Sequence, residues 1–237
     1  MLGVEIHGLG YLNKLSQGAN KISVFKKQQE LMSNEAKVIF DVGSNRGDIT
    51  QAYLDHFPNS DIFAFEPVPE MADIYETRFK ANNKVHLNKI ALSDRAGSVT
   101  LYVNSSVDTS SLLPSQKIGA SSDESCKTVS TIEVETGIID DFVADQKLDT
   151  IDILKMDVQG SELAVLKGAK KALEQNKISI IYTEVYFKPQ YVDQPLFYDI
   201  ATFLKSYGYE LQDLYDPYYN SSQILWADAL FVKNNLL

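Results

Sequence analysis

The chain has 237 residues, 44% apolar and 23% charged, which suits one large soluble domain whose core needs neither disulfides nor structural metal. Its formal net charge of −10 argues against nucleic acid as the main partner, because a polyanion requires a basic face. Cys126 is the only cysteine, so no intramolecular disulfide can form, and the scattered His7, His56 and His86 offer no zinc-site spacing.

The opening stretch, MLGVEIHGLGYLNKLSQG, has no basic segment leading into a long apolar core, so it does not read as a signal peptide. No apolar run approaches the ~20 residues of a membrane span. A cytoplasmic protein is therefore the default expectation, with the sequons at Asn104 and Asn220 as chance matches. Residues 1–36 are weakly periodic: Leu9, Leu12 and Leu15, then Ile22, Phe25, Leu31 and Met32, predict one or two helices. They form an N-terminal helical extension ahead of the main domain, residues 37–237.

From there strands and helices alternate. Lys37–Val42 and Asp61–Phe65 read as buried strands, and Asp48–His56 and Pro69–Ala81 as helices. Lys84–Asn88 is a third strand. Ser98–Val103 alternates and looks antiparallel, after a turn signal at Asp94–Gly97. Residues 104–127 are Ser-rich and without period, which fits either a lid or a disordered surface excursion. Thr128–Glu135 is strand-like and Ile138–Ala144 helical. Ile151–Met156 is a strand, Glu162–Gln175 a helix, Ile178–Val185 the most β-branched run, and Pro195–Tyr207 a helix. GYELQDLY and ILWADALFV have a loop but no helix between them, so they predict a terminal antiparallel hairpin. Repeated strand–helix units imply a parallel sheet covered on both faces.

The stretch VIFDVGSNRGDIT sits where such sheets bind ligands, beyond the carboxyl end of a strand. It is not GxxxxGK[ST], and it lacks the middle glycine that lets a GxGxxG backbone approach a pyrophosphate. Asp41 before the turn would oppose a pyrophosphate but suit a cationic ammonium group, directly or through water. Glu66, at the end of the second strand, can accept both hydroxyls of a ribose, and Pro67 can pack on an adenine face. An amine at the first strand and a ribose at the second describe S-adenosylmethionine.

The ordered segments VIFDVGSNRGD, FAFEPVPEM, NKIALSDRAGSVTLYV, TSSLL, IDILKMDVQGSELAVLKGA, IIYTEV and FLKSYGYELQDL resemble the FkbM-like family of S-adenosylmethionine-dependent methyltransferases. The resemblance covers roughly Val38 to Val232. It implies an α/β Rossmann-like methyltransferase fold: a mostly parallel seven-stranded sheet with an antiparallel last strand and helices on both faces. It also implies methyl transfer to an oxygen, often a hydroxyl of a sugar, glycan or secondary metabolite. The expected cofactor-binding residues are Asp41, Gly43, Ser44, Asn45, Gly47, Glu66, Pro67 and Ser93. One departure stands out: where the family usually has DxEG, this chain has Asp157-Val158-Gln159-Gly160. Gln159 keeps size and hydrogen-bonding capacity but loses the charge.

A hydroxyl holds its proton tightly near neutral pH, so the acceptor needs a positioned base or a metal. Asp157 and Glu184 end the fourth and fifth strands of the sheet and should face one cleft. They are the candidate catalytic residues, as general base or as oxygen ligands of a hard ion such as Mg²⁺. Glu162 is expected to cap the following helix. Lys155 lies two residues before Asp157 on the same side of its strand, where it can pair with an acid or touch the cofactor's carboxylate. His86 could be a base only if it reaches the cleft. Tyr186, Phe187 and Tyr191, with Tyr215, Tyr218 and Tyr219 in the terminal hairpin loop, form an aromatic rim that either stacks an acceptor or simply packs. Asp216–Tyr219 (DPYY) mimics the DPPY signature of base-modifying amino methyltransferases, but it falls between the last two strands rather than after the fourth. The expected partner is a small-molecule or carbohydrate acceptor. The alternatives are a cofactor-binding homologue without catalysis, motivated by Gln159, and a nicotinamide-dependent oxidoreductase. Oligomeric state has no signal in the sequence.

Overall fold

The computed structural model describes residues 22–33, 35–116, 124–220 and 222–236. The expected helical periodicity at Leu9, Leu12 and Leu15 lies outside the described residues. Described residues begin with helix α1 (Val24–Leu31), whose Ser23 side chain accepts from the Lys26 amide. Then follow β1 (Val38–Val42), α2 (Asp48–His56), β2 (Asp61–Phe65), α3 (Pro69–Phe79), β3 (Val85–Asn88), β4 (Ala91–Leu92) and β5 (Gly97–Asn104). The second half holds β6 (Thr128–Gly137), α4 (Ile139–Asp145), β7 (Ile151–Met156), α5 (Glu162–Lys167), α6 (Lys170–Glu174), β8 (Ile178–Tyr186), α7 (Phe197–Ser206), β9 (Tyr209–Asn220) and β10 (Gln223–Lys233).

Seven strands form one sheet in the order β3-β2-β1-β7-β8-β10-β9. The first five are parallel, and β10 alone runs against its neighbours. The central strands are apolar over most of their length because helices cover both faces. On one face Phe40, Phe65, Leu154 and Phe231 pack with α4, α5, α6 and α7. On the other, Ile39, Ile62, Ile153, Ile180 and Leu230 pack with α1 and α2. Among the described residues no helix is long and apolar enough to cross a membrane.

The structure departs from the sequence reading in three places. The terminal hairpin is longer than expected: β9 runs through Asp216–Tyr219, so Tyr215, Tyr218 and Tyr219 are strand residues rather than loop residues. The hairpin forms one edge of the sheet as expected, with β10 on the inside, between β8 and the edge strand β9. The expected helix over 162–175 is two short helices, α5 and α6. The break falls at Gly168, where an added Cβ would lie 2.1 Å from the Ser93 carbonyl oxygen. Finally, β4, β6 and β5 form a separate three-stranded sheet, with β5 and β6 antiparallel as their alternation suggested.

The Gly168 contact is backbone against backbone, so it cannot be relieved by a rotamer change. Gly168→Ala is expected to cost about 1–3 kcal/mol in urea unfolding; an unchanged midpoint would show that the α5–α6 corner yields without strain.

Candidate active site

The parallel strands end at a cavity of about 360 Å³, which reaches from the turn after β1 to β8 and β10. Strand order reverses between β1 and β7, the switch point at which open α/β sheets leave a crevice. The β1 turn makes one wall. Gly43 has φ 71°, and a Cβ there would sit 1.9 Å from the Asp157 carbonyl oxygen. Glycine is required here because two loops touch, not because a phosphate must approach. The Gly43 and Ser44 amides both donate to the Phe65 carbonyl, at 3.0 and 3.1 Å, which ties the turn to β2.

Glu66 is 5% exposed and lines the cavity. Its Oε2 accepts from the Asn45 amide and its Oε1 from the Val68 amide, both at 2.8 Å. Burial pushes its carboxyl up to about 7, against the pull of those two amides. Pro67, Ser44 and Asn45 line the same space. The Ser44 hydroxyl is buried and has no hydrogen-bond partner among the described residues.

Three expected cofactor residues have other places. Asp41 is fully buried behind the cavity; its Oδ1 pairs with Lys155 Nζ at 3.0 Å and its Oδ2 accepts from Thr50 at 2.6 Å. Its carboxylate therefore acts on the turn and on Lys155, which also donates to the Gly43 carbonyl at 3.0 Å. Gly47, with φ 87°, packs against the Phe79 and Tyr75 rings and does not line the cavity. Ser93 lies at the second sheet, its amide on the Gly137 carbonyl, outside the cavity lining.

At the opposite end Asp157 and Glu184 do meet, and Gln159 joins them. The Gln159 Nε2 donates to Asp157 Oδ1 at 2.7 Å and to Glu184 Oε2 at 2.9 Å. Its Oε1 accepts from the Tyr191 hydroxyl at 2.8 Å. Its backbone holds φ 53°, a left-handed conformation that non-glycine residues rarely adopt. Tyr186 donates to Glu184 Oε2 at 2.6 Å. Glu184 is held well above the ordinary carboxylate range, first by burial and then by the charges of Asp157, Glu162 and Asp228. Glu162 accepts from the Gly160 and Val158 amides at 3.1 and 3.2 Å. It thus secures the turn carrying Gln159 and, in the first turn of α5, also draws on its own backbone amide, in accord with the expected place at that helix start. His86 stacks on Phe63 and faces Asp61, away from the cavity.

Sequence reading expected a lid within 104–127 but did not single out Asp108 or the contacts that tie this segment to the cavity. Asp108 accepts from the Asn45 side chain at 2.9 Å and pairs with Arg46 at 3.1 Å. Ser111 donates to the Gln159 carbonyl at 2.6 Å, and the Tyr191 hydroxyl, whose single proton is shared between Gln159 Oε1 and the Thr109 carbonyl, lies 2.8 Å from the latter. Nothing in the polar run around Asp108 distinguishes it, since its partners lie some sixty residues away. Residues 117–123 of the expected lid lie outside the described residues. Asp228 and Trp226, which line the cavity from β10, were also missed because their approach depends on the strand insertion.

A sequence model described as the methyltransferase FkbM domain matches residues 41–211. The chain is 29% identical over 196 residues to the 2-O-methyltransferase NoeI of Sinorhizobium fredii, covering 78% of this chain and 77% of that relative. It is 26% identical over 210 residues to the 31-O-demethyl-FK506 methyltransferase FkbM of Streptomyces tacrolimicus, covering 79% and 78%. It is 29% identical over 155 residues to the hexuronic acid methyltransferase AglP of Haloferax volcanii, covering 65% of this chain and 58% of that relative.

The burial of Glu66 has a measurable sign. Its folded value of about 7 lies above the ordinary 4.5, so the fold favours the protonated form. That contribution is complete below about 4.5 and is lost as pH rises through about 7. The stability of Glu66→Gln relative to the wild type should therefore climb across this window, by about 1–3 kcal/mol. A difference that stays flat with pH in urea titrations would remove burial as the controlling cause.

Proposed function

The chain belongs to the FkbM family of methyltransferases, and from that premise we propose that it transfers the methyl group of S-adenosylmethionine to a hydroxyl oxygen of a sugar or small metabolite. The observation that carries this reading is the carboxylate pair Asp157–Glu184, clamped by one amide at the acceptor end of the cavity. The relatives support oxygen as the acceptor atom, since NoeI is named a 2-O-methyltransferase.

The residues present fit the cofactor. Each Glu66 oxygen accepts one backbone amide and keeps a lone pair for a ribose hydroxyl. The unpartnered Ser44 hydroxyl offers a further polar contact, and Pro67 an apolar one. When bound, S-adenosylmethionine supplies a methyl group on a sulfonium centre. The protein then has to hold the acceptor hydroxyl in line and take its proton.

We assign the proton to Asp157. Its Oδ1 is fixed by Gln159, which leaves the second oxygen for the acceptor. Glu184, deeper and at 7% exposure, shares the same amide and accepts a hydrogen bond from the Tyr186 hydroxyl, so it serves the geometry of the pair. Gln159 stands between the two acids where Mg²⁺ would have to bridge them. Among the described residues no group of three His, Cys, Asp or Glu side chains is arranged to hold a metal ion. The clamp also weakens the non-catalytic alternative, because the missing charge of Gln159 is matched by two donors that organise the pair. A nicotinamide-dependent oxidoreductase does not accord with the family.

Calorimetric titration with S-adenosylhomocysteine, with NAD as control, tests the cofactor reading: binding of the former alone is expected. Transfer of labelled methyl from S-adenosylmethionine to a panel of glycosides and hydroxylated metabolites tests the acceptor. Asp157→Asn should lower turnover about 10²–10⁴-fold with cofactor affinity unchanged. Glu66→Ala should weaken cofactor binding by at least about tenfold, as two hydroxyl hydrogen bonds are lost. Normal turnover by Asp157→Asn would take that residue out of the mechanism.

A further inference from the structure

Asp157 and Glu184 share one amide but not one environment. Asp157 is half-buried just past the end of β7, whereas Glu184 is buried on β8. Three acids face Glu184: Asp157, Glu162 from the start of α5, and Asp228, its register partner on β10. The hydroxyls of Tyr186 and, through Gln159, Tyr191 complete its polar surroundings. None of these groups brings a positive charge. Lys155 is taken by Asp41 and the Gly43 carbonyl, and Arg46, the other base lining the cavity, is paired with Asp108.

The hydrogen bonds fix where a proton on Glu184 sits. Gln159 Nε2 can only donate, and it donates to Oε2 at 2.9 Å. Tyr186 donates to the same oxygen at 2.6 Å. Its hydroxyl is 3.2 Å from Gln159 Oε1, which already has the Tyr191 hydroxyl at 2.8 Å. Two donors thus occupy the lone pairs of Glu184 Oε2. Oε1 has no partner among the described residues and is not sealed off, and Glu184 lines the cavity. We propose that Glu184 works as an un-ionised carboxylic acid, its Oε1–H donating to the acceptor oxygen while Asp157 takes that oxygen's proton. This rests on the methyl-transfer reading and deepens it.

The surroundings favour the neutral form. Burial is the first cause that raises Glu184 above the ordinary carboxylate range, and the charges of Asp157, Glu162 and Asp228 add to it, against the pull of the Tyr186 bond. A hydroxyl oxygen has one proton and two lone pairs. Between the two acids its proton faces Asp157 and one lone pair faces Glu184, which leaves the other lone pair for the methyl carbon. As that pair closes the carbon–oxygen bond, the carbon–sulfur pair returns to sulfur and the hydroxyl proton passes to Asp157. Glu184 keeps its own proton throughout. The oxygen is held by both of its hydrogen-bonding functions, with only the reacting pair left free. An amine nitrogen has a single lone pair, so the same bond from Glu184 would leave it nothing to attack with.

The protonation state is read on the protein alone. In buffer just above the ordinary carboxylate range, the infrared difference spectrum of wild type minus Glu184→Gln should show the carbonyl stretch of an un-ionised acid. Labelled methyl transfer from S-adenosylmethionine is then followed with the methyl glycosides of glucose, galactose, mannose and rhamnose. Glutamine keeps an acceptor for Gln159 and Tyr186 and presents an N–H in place of the O–H. Glu184→Gln should therefore retain transfer within about tenfold of wild type, while Glu184→Leu falls about 10–100-fold further with S-adenosylhomocysteine affinity unchanged. The active form is the protonated one, so wild-type turnover should hold below the raised Glu184 value and fall as pH rises through it; Glu184→Gln should lose this fall. A carboxylate band in the difference spectrum overturns the proposal, and so does a Glu184→Gln variant that is as inactive as Glu184→Leu or that keeps the alkaline fall. The spectrum and Glu184→Gln decide even if Glu184→Leu does not fold. Binding of S-adenosylhomocysteine without transfer to any glycoside removes the donor role and leaves the cofactor reading standing. Failure to bind S-adenosylhomocysteine at all would instead bring down the methyl-transfer reading itself.

Discussion

The ion pair between Asp41 and Lys155 holds the site together. The two residues are register partners on β1 and β7, the strands on either side of the switch point, and both side chains are buried. Burial alone would push the Lys155 ammonium down, yet the charges of Asp41 and Asp157 hold it above the ordinary lysine range. Thr50 and Tyr75 extend the network toward α2 and α3. Lys155 also grips the Gly43 carbonyl, so one ammonium group fixes the turn after β1 against the strand that carries Asp157. Removing one member of such a pair leaves a bare charge in the interior, at a cost of about 3–5 kcal/mol. The cavity is shaped by what this pair holds in place: the Gly43 turn lies against the Asp157 backbone, with no room for a single carbon between them.

Local chemistry was legible in the sequence where it was decided locally. DITQAYLDH, DIFAF and IDILKM have the element boundaries their patterns suggest, because apolar runs bounded by polar turns leave one way to bury the chain. Glu66 was legible too, since the end of a parallel strand points into the crevice wherever the fold is of this type. Asp41 was read as a ligand group because a carboxylate just before the turn suits a cationic ammonium group. Only the facing Lys155, over a hundred residues away, shows that it is spoken for. Gln159 was read as a loss. Its value lies in two donors and one acceptor reaching three separate segments, a property of geometry that residue type does not disclose.

The lid and the catalytic floor are mechanically one unit. Ser111 donates to the Gln159 carbonyl, and the Tyr191 hydroxyl sits between the Thr109 carbonyl and Gln159 Oε1, so the segment over the cavity is tied to the residue between the two acids. Asp108 adds a tie to the cofactor end through Asn45 and Arg46. Any displacement of this segment is felt at both ends of the cavity, a direct route by which occupancy at one end can alter order at the other.

The insertion of β10 between β8 and β9 has a consequence for how the protein comes into being. The strand that supplies Trp226 and Asp228 follows β9 in the chain, yet it occupies an interior place in the sheet. Until it threads into position, β8 lacks one neighbour and β9 has no partner in the sheet, and such unpaired edges invite wrong pairings. The side of the cavity lined by Trp226 and Asp228 is therefore complete only once β10 has entered between β8 and β9.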